Sequence, residues 1–268
     1  MTGSVPARSP LDPVAAALAA GDAWSLTLLP TAGSTNEIAA ATPVPGRVVV
    51  ADHQVSGRGR LDRSWVTPPG TALTFSAVVD PGIPDDRWPL IPLAAGVAVA
   101  TAIHGCGGAA SVKWPNDVLL PDDGAGADHT FGRKVCGILA ERVGSDPAVA
   151  VIGIGINVDL REEELPVPTA SSLAIAGLDV ARVDLLGAVL KALSAQLDAL
   201  RADPTGFLVG FREMCSTIGR SVAVLMPDGS RIEGTAVGID GAGCLEVEAG
   251  GEVHRVAAGD VVHVRPVT

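Results

Sequence analysis

The hydrophobic pattern changes between Cys215 and Gly219, and this change limits how the chain can fold. Before it, β-branched runs typical of strands alternate with long apolar stretches that have helical spacing. After it, five short strand-like segments fill about 50 residues and are joined by the glycine-containing turns DG, GAG and GG. A tail of this kind is typical of a small β-barrel. We therefore predict an α/β domain over residues 1–217 and a small barrel over 218–268.

The sequence of the α/β part predicts a series of helices and strands. An Ala-rich helix should open at Asp12-Pro13, as N-cap and first helical residue, and a second helix should open at Ser34 or Thr35. A long helix should end at Asp203-Pro204. Residues 121–132 should form an exposed loop. The other segments are the strands WSLTLLP, RVVVADHQ, TALTFSAVVD, KVCGILAERV and AVAVIGIGINV, the helix IPLAAGVAVATAIHGCG, and ASVKWPNDVLL with a turn at its centre.

Charge and composition exclude several classes of protein. The 19 Lys and Arg residues against 30 Asp and Glu give a net charge of -11, which argues against a broad nucleic-acid surface. The N-terminal apolar run VAAALAA follows Asp12 and Pro13, whereas a signal peptide would have basic residues there. No run approaches the ~20 apolar residues of a membrane span. We expect a cytoplasmic protein whose four dispersed cysteines are reduced and mostly buried, with no zinc site or disulfide framework.

The segment SGRGRLDRSW, residues 56–65, concentrates positive charge in an otherwise acidic chain. It follows a strand but lacks the G-K-S/T of a phosphate-binding P-loop and the third glycine of a dinucleotide fingerprint. Glycines allow close backbone approach to a ligand, and guanidinium groups bind phosphate or carboxylate. The segment is thus either an anion-binding loop or a solvated hairpin tip. Asp62 is its only acidic residue.

Three further segments carry weaker signals. KWPND places polar side chains at a turn, which would also suit a simple Asx-stabilised turn. Lys134 lies in an otherwise apolar strand and needs an anionic partner, and a bound ligand could be that partner. Gly153 and Gly155 alternate on one face of a strand, where they could make room for a flat ligand or allow close packing.

Taken together and in this order, these segments resemble the biotin–protein ligases. The family pattern is S-T-N, then Q-x-x-G-R-G-R-x-x-R-x-W, K-W-P-N-D, K-x-x-G-I-L-x-E and G-I-G-I-N. The resemblance spans residues 31 to about 175, and the tail matches the family's C-terminal domain more loosely. The matching residues are Ser34–Asn36, Gln54, Gly57–Arg60, Arg63, Trp65, Lys113–Asp117, Lys134, Gly137–Leu139, Glu141 and Gly153–Asn157.

The resemblance implies an enzyme with two half-reactions. Biotin and ATP, with Mg²⁺ held by the ATP phosphates, would form biotinyl-5′-AMP. A lysine of a biotin carboxyl carrier domain of an acyl-CoA carboxylase would then receive the biotin. The implied α/β fold is a mixed sheet like that of class II aminoacyl-tRNA synthetases and biotinyl/lipoyl ligases, with a C-terminal SH3-like barrel. Only 33 residues precede the S-T-N segment, too few for a winged-helix domain, so no DNA binding is expected. A monomer or weak homodimer is expected.

Roles carry over by position within the family pattern. The implied catalytic residues are Lys134, Asp117 and Arg58, with Asp117 orienting the incoming lysine amine. The implied biotin-binding residues are Ser34, Thr35, Asn36, Gln54, Gly57, Arg58, Gly59, Arg60, Lys134 and Gly137. The implied ATP-binding residues are Arg60, Arg63, Trp65, Lys113, Asn116 and Asn157, with Arg265 reaching back from the tail. No dedicated metal ligands are expected.

Two other functions fit part of the pattern. A lipoate or octanoate ligase would share the fold and would also modify lysine, but its loop would carry fewer arginines. A non-catalytic biotin sensor would not need Lys134 and Asp117.

Overall fold

The structure, a computed structural model, describes residues 8–60, 63–121, 132–145, 147–226, 228–257 and 259–263. The helices are α1 (Pro13–Ala20), α2 (Thr35–Ala41), α3 (Leu90–Gly105), α4 (Arg182–Ala202) and α5 (Pro204–Met214). The strands are β1 (Ser25–Ala32), β2 (Arg47–Gln54), β3 (Gly57–Arg58), β4 (Ser64–Trp65), β5 (Ala72–Val79), β6 (Ser111–Lys113), β7 (Asp117–Leu120), β8 (Arg133–Val143), β9 (Val149–Asn157), β10 (Ser221–Leu225), β11 (Arg231–Ile239), β12 (Leu245–Ala249), β13 (Glu252–Val256) and β14 (Asp260–His263).

The α/β part is built on a seven-stranded sheet in the order β1-β2-β5-β9-β8-β7-β6. The β1–β2 pair is parallel and the other neighbouring pairs are antiparallel, so the predicted mixed sheet is confirmed. One face buries Ile152, Ile154 and Ile156 of β9 in the main core, which also contains the apolar sides of α3 and α4. The opposite face carries α2, which packs on a smaller apolar cluster. Because side chains alternate along a strand, the main core and the α2 face use different residues of the same strands.

Helices α1 and α5 each begin at an Asp-Pro pair, with the aspartate as N-cap and the proline as first helical residue. Asp12 accepts a hydrogen bond from the Ala15 amide at 2.7 Å and Pro13 begins α1, which confirms the predicted start. Asp203 does the same for Thr205 at 3.1 Å, so Asp203-Pro204 both ends α4 and begins α5. Helix α5 was not predicted. Ser34 occupies the N-cap position of α2, but its side chain makes no capping hydrogen bond.

The C-terminal part is a five-stranded antiparallel sheet in the order β13-β12-β11-β10-β14, from the five predicted strand segments. It is joined to the α/β part by specific hydrogen bonds. Arg212 of α5 donates to the Ile239 carbonyl at 2.5 Å, and the Trp114 indole nitrogen donates to the Gly243 carbonyl at 2.9 Å. The small C-terminal β domain is therefore packed against the β6–β7 hairpin.

Two expectations from composition can be compared with the described residues. None of the helices within them is both long and apolar enough to cross a membrane. Cys136, Cys215 and Cys244 are buried free thiols and Cys106 is half-buried. Burial raises the pKa of the Cys136 and Cys215 thiols, which keeps them protonated and unreactive. The predicted loop at 121–132 lies outside the described residues apart from its two ends.

Candidate active site

A cavity of about 120 Å³ lies on the α2 face of the sheet. Its floor is β8 and β9, and its walls are the start of α2, the β3–β4 hairpin and the β6–β7 turn. A second, more open cavity of about 680 Å³ shares the hairpin as a wall and includes Gly57. The first cavity is lined by Ser34, Thr35, Asn36, Gln54, Arg58, Gly59, Arg60, Arg63, Ser64, Trp65, Thr74, Asn116, Asp117, Lys134, Gly137, Ile138, Leu139, Gly153, Ile154 and Gly155. Most of the predicted site residues are thus brought together.

The glycines of the floor make room for side chains of the protein itself. Gly137 and Gly155 are register partners on β8 and β9. A Cβ atom at Gly155 would lie 2.6 Å from the Trp65 ring, and one at Gly153 would collide with the Asn36 amide. The sequence leaves open a flat ligand or close packing at Gly153 and Gly155. In the structure, Trp65 and Asn36 pack there, and the indole Nε1 of Trp65 is buried without a hydrogen-bond partner among the described residues.

A buried polar network forms the wall beside α2. The Thr35 amide donates to Gln54 Oε1 at 2.8 Å, which turns the amide nitrogen of Gln54 toward Gly57. The Ser76 hydroxyl lies 2.7 Å from Thr35 Oγ1 and 2.5 Å from Asn36 Oδ1. Because Asn36 Oδ1 can only accept, the single Ser76 proton goes to it. Ser76 is fully buried and was not predicted, although a serine inside the apolar run TFSAVV is a detectable signal.

The β3–β4 hairpin carries the arginines over the cavity. Gly57 pairs with Trp65 and Arg58 pairs with Ser64. A Cβ atom at Gly57 would collide with the Gln54 side chain and the Trp65 carbonyl, so a glycine is required there. Arg60 Nη1 donates to Asn116 Oδ1 at 3.3 Å, which connects the hairpin to the β6–β7 turn.

Acidic residues from other elements compensate the charge of Arg58. Its Nε lies 3.5 Å from Glu37 of α2, and its Nη2 lies 3.2 Å from Glu141 of β8. Asp62, the only acid within the segment, lies outside the described residues. The charge balance of this hairpin therefore depends on residues that are distant in sequence, which the local pattern could not indicate.

Lys134 has a protein partner. Its Nζ lies 2.6 Å from Asp117 Oδ1 and 5.6 Å from the centre of the Trp65 ring. The anionic partner that we predicted for this lysine is thus a carboxylate of the adjacent strand β7. Two of the three predicted catalytic residues, Lys134 and Asp117, therefore form one ion pair at the cavity wall, with both side chains partly exposed.

Two predicted ATP-binding residues, Lys113 and Asn157, are not among the described residues that line the cavity. Lys113 is not among its lining residues and lies opposite Asp117 in the β6–β7 register. Asn157 is buried and donates to the Ser171 carbonyl at 2.9 Å, so it supports the segment after β9. Arg265 lies outside the described residues. The position of Asn157 in the motif could not predict this contact, because its partner Ser171 lies in a later segment of the chain.

Comparison with known proteins identifies relatives that match both the α/β part and the C-terminal part of the chain. Residues 29–159 match the Biotin/lipoate A/B protein ligase family, and residues 217–264 match the Biotin protein ligase C terminal domain. The chain is 35% identical to the biotin–[acetyl-CoA-carboxylase] ligase of Mycobacterium tuberculosis, over 92% of each chain. It is 29% identical to the bifunctional ligase/repressor BirA of Escherichia coli, over 90% of this chain and 74% of that protein.

Among solved structures, the biotin protein ligase of Aquifex aeolicus in complex with biotin and ATP is similar, with a TM-score of 0.75 and 28% identity. That similarity covers 90% of this chain and 99% of the other. The mixed α/β sheet and the small antiparallel C-terminal domain are therefore those of a known fold. The chain belongs to the biotin–protein ligase family.

Proposed function

We propose that the chain activates biotin with ATP to biotinyl-5′-AMP and transfers the biotin to a lysine of a biotin carboxyl carrier domain of an acyl-CoA carboxylase. The observation that carries the proposal is the convergence of Arg58, Arg60 and Lys134 on a cavity whose other wall is the Thr35–Gln54–Ser76–Asn36 network. The cations suit a carboxylate and a phosphate, and the network suits a neutral polar head group such as the ureido ring. Ser34, with a hydroxyl not used for capping, also lines that wall.

In the first half-reaction, a carboxylate oxygen of biotin attacks the α-phosphorus of ATP, and the bond to pyrophosphate breaks. No proton transfer is required, but two anions must approach one another. Lys134, Arg58 and Arg60 offset this repulsion and stabilise the charge that develops at the phosphorus. Arg63, Trp65 and Asn116 line the same cavity and are proposed to contact the nucleotide.

In the second half-reaction, the acceptor lysine attacks the acyl carbon of the mixed anhydride. A C–N bond forms, the C–O bond to AMP breaks, and the nitrogen loses a proton. A lysine amine has an ordinary pKa of about 10.4 and is mostly protonated at neutral pH, so the step needs a carboxylate that orients the amine and accepts its proton as the C–N bond forms. Asp117 lines the cavity beside Lys134 and is proposed for this role.

Magnesium is proposed to arrive as part of the ATP substrate. Among the described lining residues Asp117 is the only carboxylate, and it is paired with Lys134. The described parts of the chain contain no group of three His, Cys, Asp or Glu residues that could hold a metal ion. This donor set fits a Mg²⁺ ion that is bound mainly by phosphate oxygens and water.

The matched C-terminal domain supports biotin over lipoate or octanoate, because its description names biotin protein ligases. The Lys134–Asp117 pair supports an enzyme over a sensor, since binding alone does not need a carboxylate beside the reacting atoms. We further propose a domain boundary between residues 217 and 218, action in the cytoplasm, and a monomer or weak homodimer that binds neither DNA nor membranes.

Transfer of biotin to a carrier domain, detected with streptavidin, tests the proposal. The full chain, ATP, Mg²⁺ and the carrier domain are incubated with biotin, and parallel reactions contain lipoate or octanoate, followed by mass spectrometry. ATP-dependent addition of biotin to one lysine is expected. Addition of lipoate or octanoate instead, or tight biotin binding without pyrophosphate release, would favour the two alternative functions.

A further inference from the structure

Ser76 of β5 carries a buried hydroxyl on the face of the sheet that forms the cavity. It is fully buried and shares this face with Thr74 and Val78, because residues two apart along a strand point the same way. Thr74 lines the cavity, and Val78 belongs to the apolar cluster under α2. Ser76 is not among the described residues that line the cavity. Its effect on a ligand must therefore pass through the side chains that it contacts.

The first contact of Ser76 is with the Asn36 amide, whose orientation is fixed by other residues. Asn36 Nδ2 donates to the Leu139 carbonyl at 3.2 Å and to the Glu141 carboxylate at 2.6 Å. Both partners only accept, so a reversed amide would place its oxygen against two acceptors. Asn36 Oδ1 therefore faces Ser76 at 2.5 Å and takes the only hydroxyl hydrogen that Ser76 has.

The second contact of Ser76 is with the Thr35 hydroxyl, 2.7 Å away. Because the Ser76 hydrogen goes to Asn36, the Ser76 oxygen acts toward Thr35 as an acceptor. The other neighbour of the Thr35 hydroxyl is Gln54 Oε1 at 3.1 Å, an acceptor that already receives the Thr35 amide at 2.8 Å. The Thr35 hydrogen is thus directed into the network, with Ser76 as its nearer acceptor. Thr35 Oγ1 therefore offers only a lone pair to the cavity that it lines.

We propose that Ser76 is a positioning residue that holds the Thr35 hydroxyl as an acceptor, so that the site selects a ligand with an N–H donor at that point. The inference rests on the proposed function, in which this wall holds the ureido ring of biotin. A ureido ring has two N–H donors, whereas the dithiolane ring of lipoate and the alkyl chain of octanoate have none. A ligand without a donor leaves the Thr35 oxygen desolvated and unpaired, which disfavours both of these acids.

The test compares biotin with its two cyclic carbamate analogues, in each of which a ring oxygen replaces one ureido N–H group. Affinities are measured by calorimetry with the full chain. At least one analogue should bind the parent about 10- to 100-fold more weakly than biotin, since its ring oxygen faces the Thr35 acceptor. In Ser76→Ala the Thr35 hydrogen keeps only the longer contact to Gln54 and is free to turn toward the ring oxygen. The selectivity for biotin over this analogue should therefore fall by about fivefold or more.

Two controls separate this effect from a general loss of structure. Ser172→Ala removes another fully buried serine hydroxyl, which donates to the Leu160 carbonyl at 2.6 Å, and Ser172 is not among the described lining residues of the cavity. This variant should lower the urea midpoint and leave the selectivity unchanged. In a Thr35→Val background, Ser76→Ala should also leave the selectivity unchanged, because the hydroxyl through which Ser76 acts is gone.

Unchanged selectivity in a folded Ser76→Ala variant overturns the proposal, and so does a parent chain that binds biotin and both carbamates equally well. If Ser76→Ala does not fold, the comparison of the parent with Thr35→Val decides the question. Equal discrimination by these two chains would show that the Thr35 hydroxyl does not read the ureido N–H group. Failure of the parent chain to bind biotin would instead contradict the proposed function.

Discussion

The indole nitrogen of Trp114 donates a hydrogen bond to the Gly243 carbonyl, 2.9 Å away in the turn between β11 and β12. Trp114 is 2% exposed and directly precedes the turn that carries Asn116 and Asp117. Gly243 has a φ of +84°, and a Cβ atom there would lie 2.9 Å from Leu90. The C-terminal domain therefore supports the site from behind the β6–β7 hairpin.

Trp114→Phe should destabilise the protein by about 1–3 kcal/mol, because the Gly243 carbonyl loses its buried donor. Urea denaturation of parent and variant measures this difference. Trp88→Phe is a matched control, since the Trp88 indole nitrogen is buried without a hydrogen-bond partner in the described part of the chain. An equal loss of stability in the two variants would show that the hydrogen bond to Gly243 contributes nothing specific.

Gly155→Ala should displace the Trp65 ring from the cavity floor, since the new Cβ atom would lie 2.6 Å from it. We expect adenylate formation to fall by about 10²-fold, the size of effect that a 1 Å misplacement can produce. Pyrophosphate release under single-turnover conditions measures it.

The matched glycine for this test is Gly210, in the interior of α5, where an added Cβ atom would meet nothing within 4 Å among the described residues. Gly210→Ala should keep full activity and gain roughly 0.5–1 kcal/mol in helix stability. Full activity of Gly155→Ala would mean that the position of Trp65 does not matter for the reaction.

Lys134→Ala should lower the rate of pyrophosphate release by about 10²–10³-fold, the effect of removing one electrostatic donor. The fold should survive, since the Lys134 side chain is 34% exposed and packs at the edge of the cavity. Lys191→Ala, on the exposed side of α4, controls for the loss of a lysine. A rate close to that of the parent would contradict the role assigned to Lys134.

Stability should fall at low pH through the Glu164–Arg8 ion pair. Arg8 donates to both Glu164 oxygens, at 2.9 and 2.7 Å, and the hydrogen bonds from Arg8 lower the pKa of Glu164 to about 2. A depressed folded-state pKa contributes stability above the ordinary value of 4.5, and this contribution is lost as the pH falls from 4.5 through about 2.

The parent should therefore exceed Glu164→Gln by about 1 kcal/mol at pH 6, and this difference should disappear near pH 2. Urea midpoints measured across this range decide the question, with Glu163→Gln, an exposed neighbour, as control. A difference that does not depend on pH would show that the carboxylate charge is not responsible.

Sequence patterns predicted the strands of the seven-stranded and five-stranded sheets and most helices, because the alternation of apolar residues is local information. They did not predict β3 and β4. They missed α5, although Asp203-Pro204 repeats the signal that correctly predicted α1 at Asp12-Pro13. After the long apolar run of α4, this pair predicts a helix end and does not by itself indicate that a second helix follows. Two adjacent helices that share a capping residue cannot be recognised when each Asp-Pro is assigned to a single helix terminus.

The candidate site was predictable as a set of residues but not as a set of contacts. The motifs indicated Lys134 and Asp117, yet their ion pair depends on the alignment of β7 with β8. Glu141 was visible as a motif position, but its contacts to Asn36 and Arg58 span 105 and 83 residues. Contacts of that range depend on the assembled sheet, which no local pattern specifies.

The parallel pairing of β1 with β2 has a consequence for how this site can be built. Ala32 is the last residue of β1 and lies beside Gln54, the last residue of β2, so the chain leaves both strands at the same end of the sheet. One exit leads into Ser34–Asn36 and the other into the arginine hairpin. If β1 ran in the opposite direction, the chain would leave β1 and β2 at opposite ends of the sheet. Because β1 has eight residues, those two points would lie roughly 25 Å apart. The direction of a single edge strand thus decides whether the two ends of one small molecule can be held by neighbouring turns of the chain.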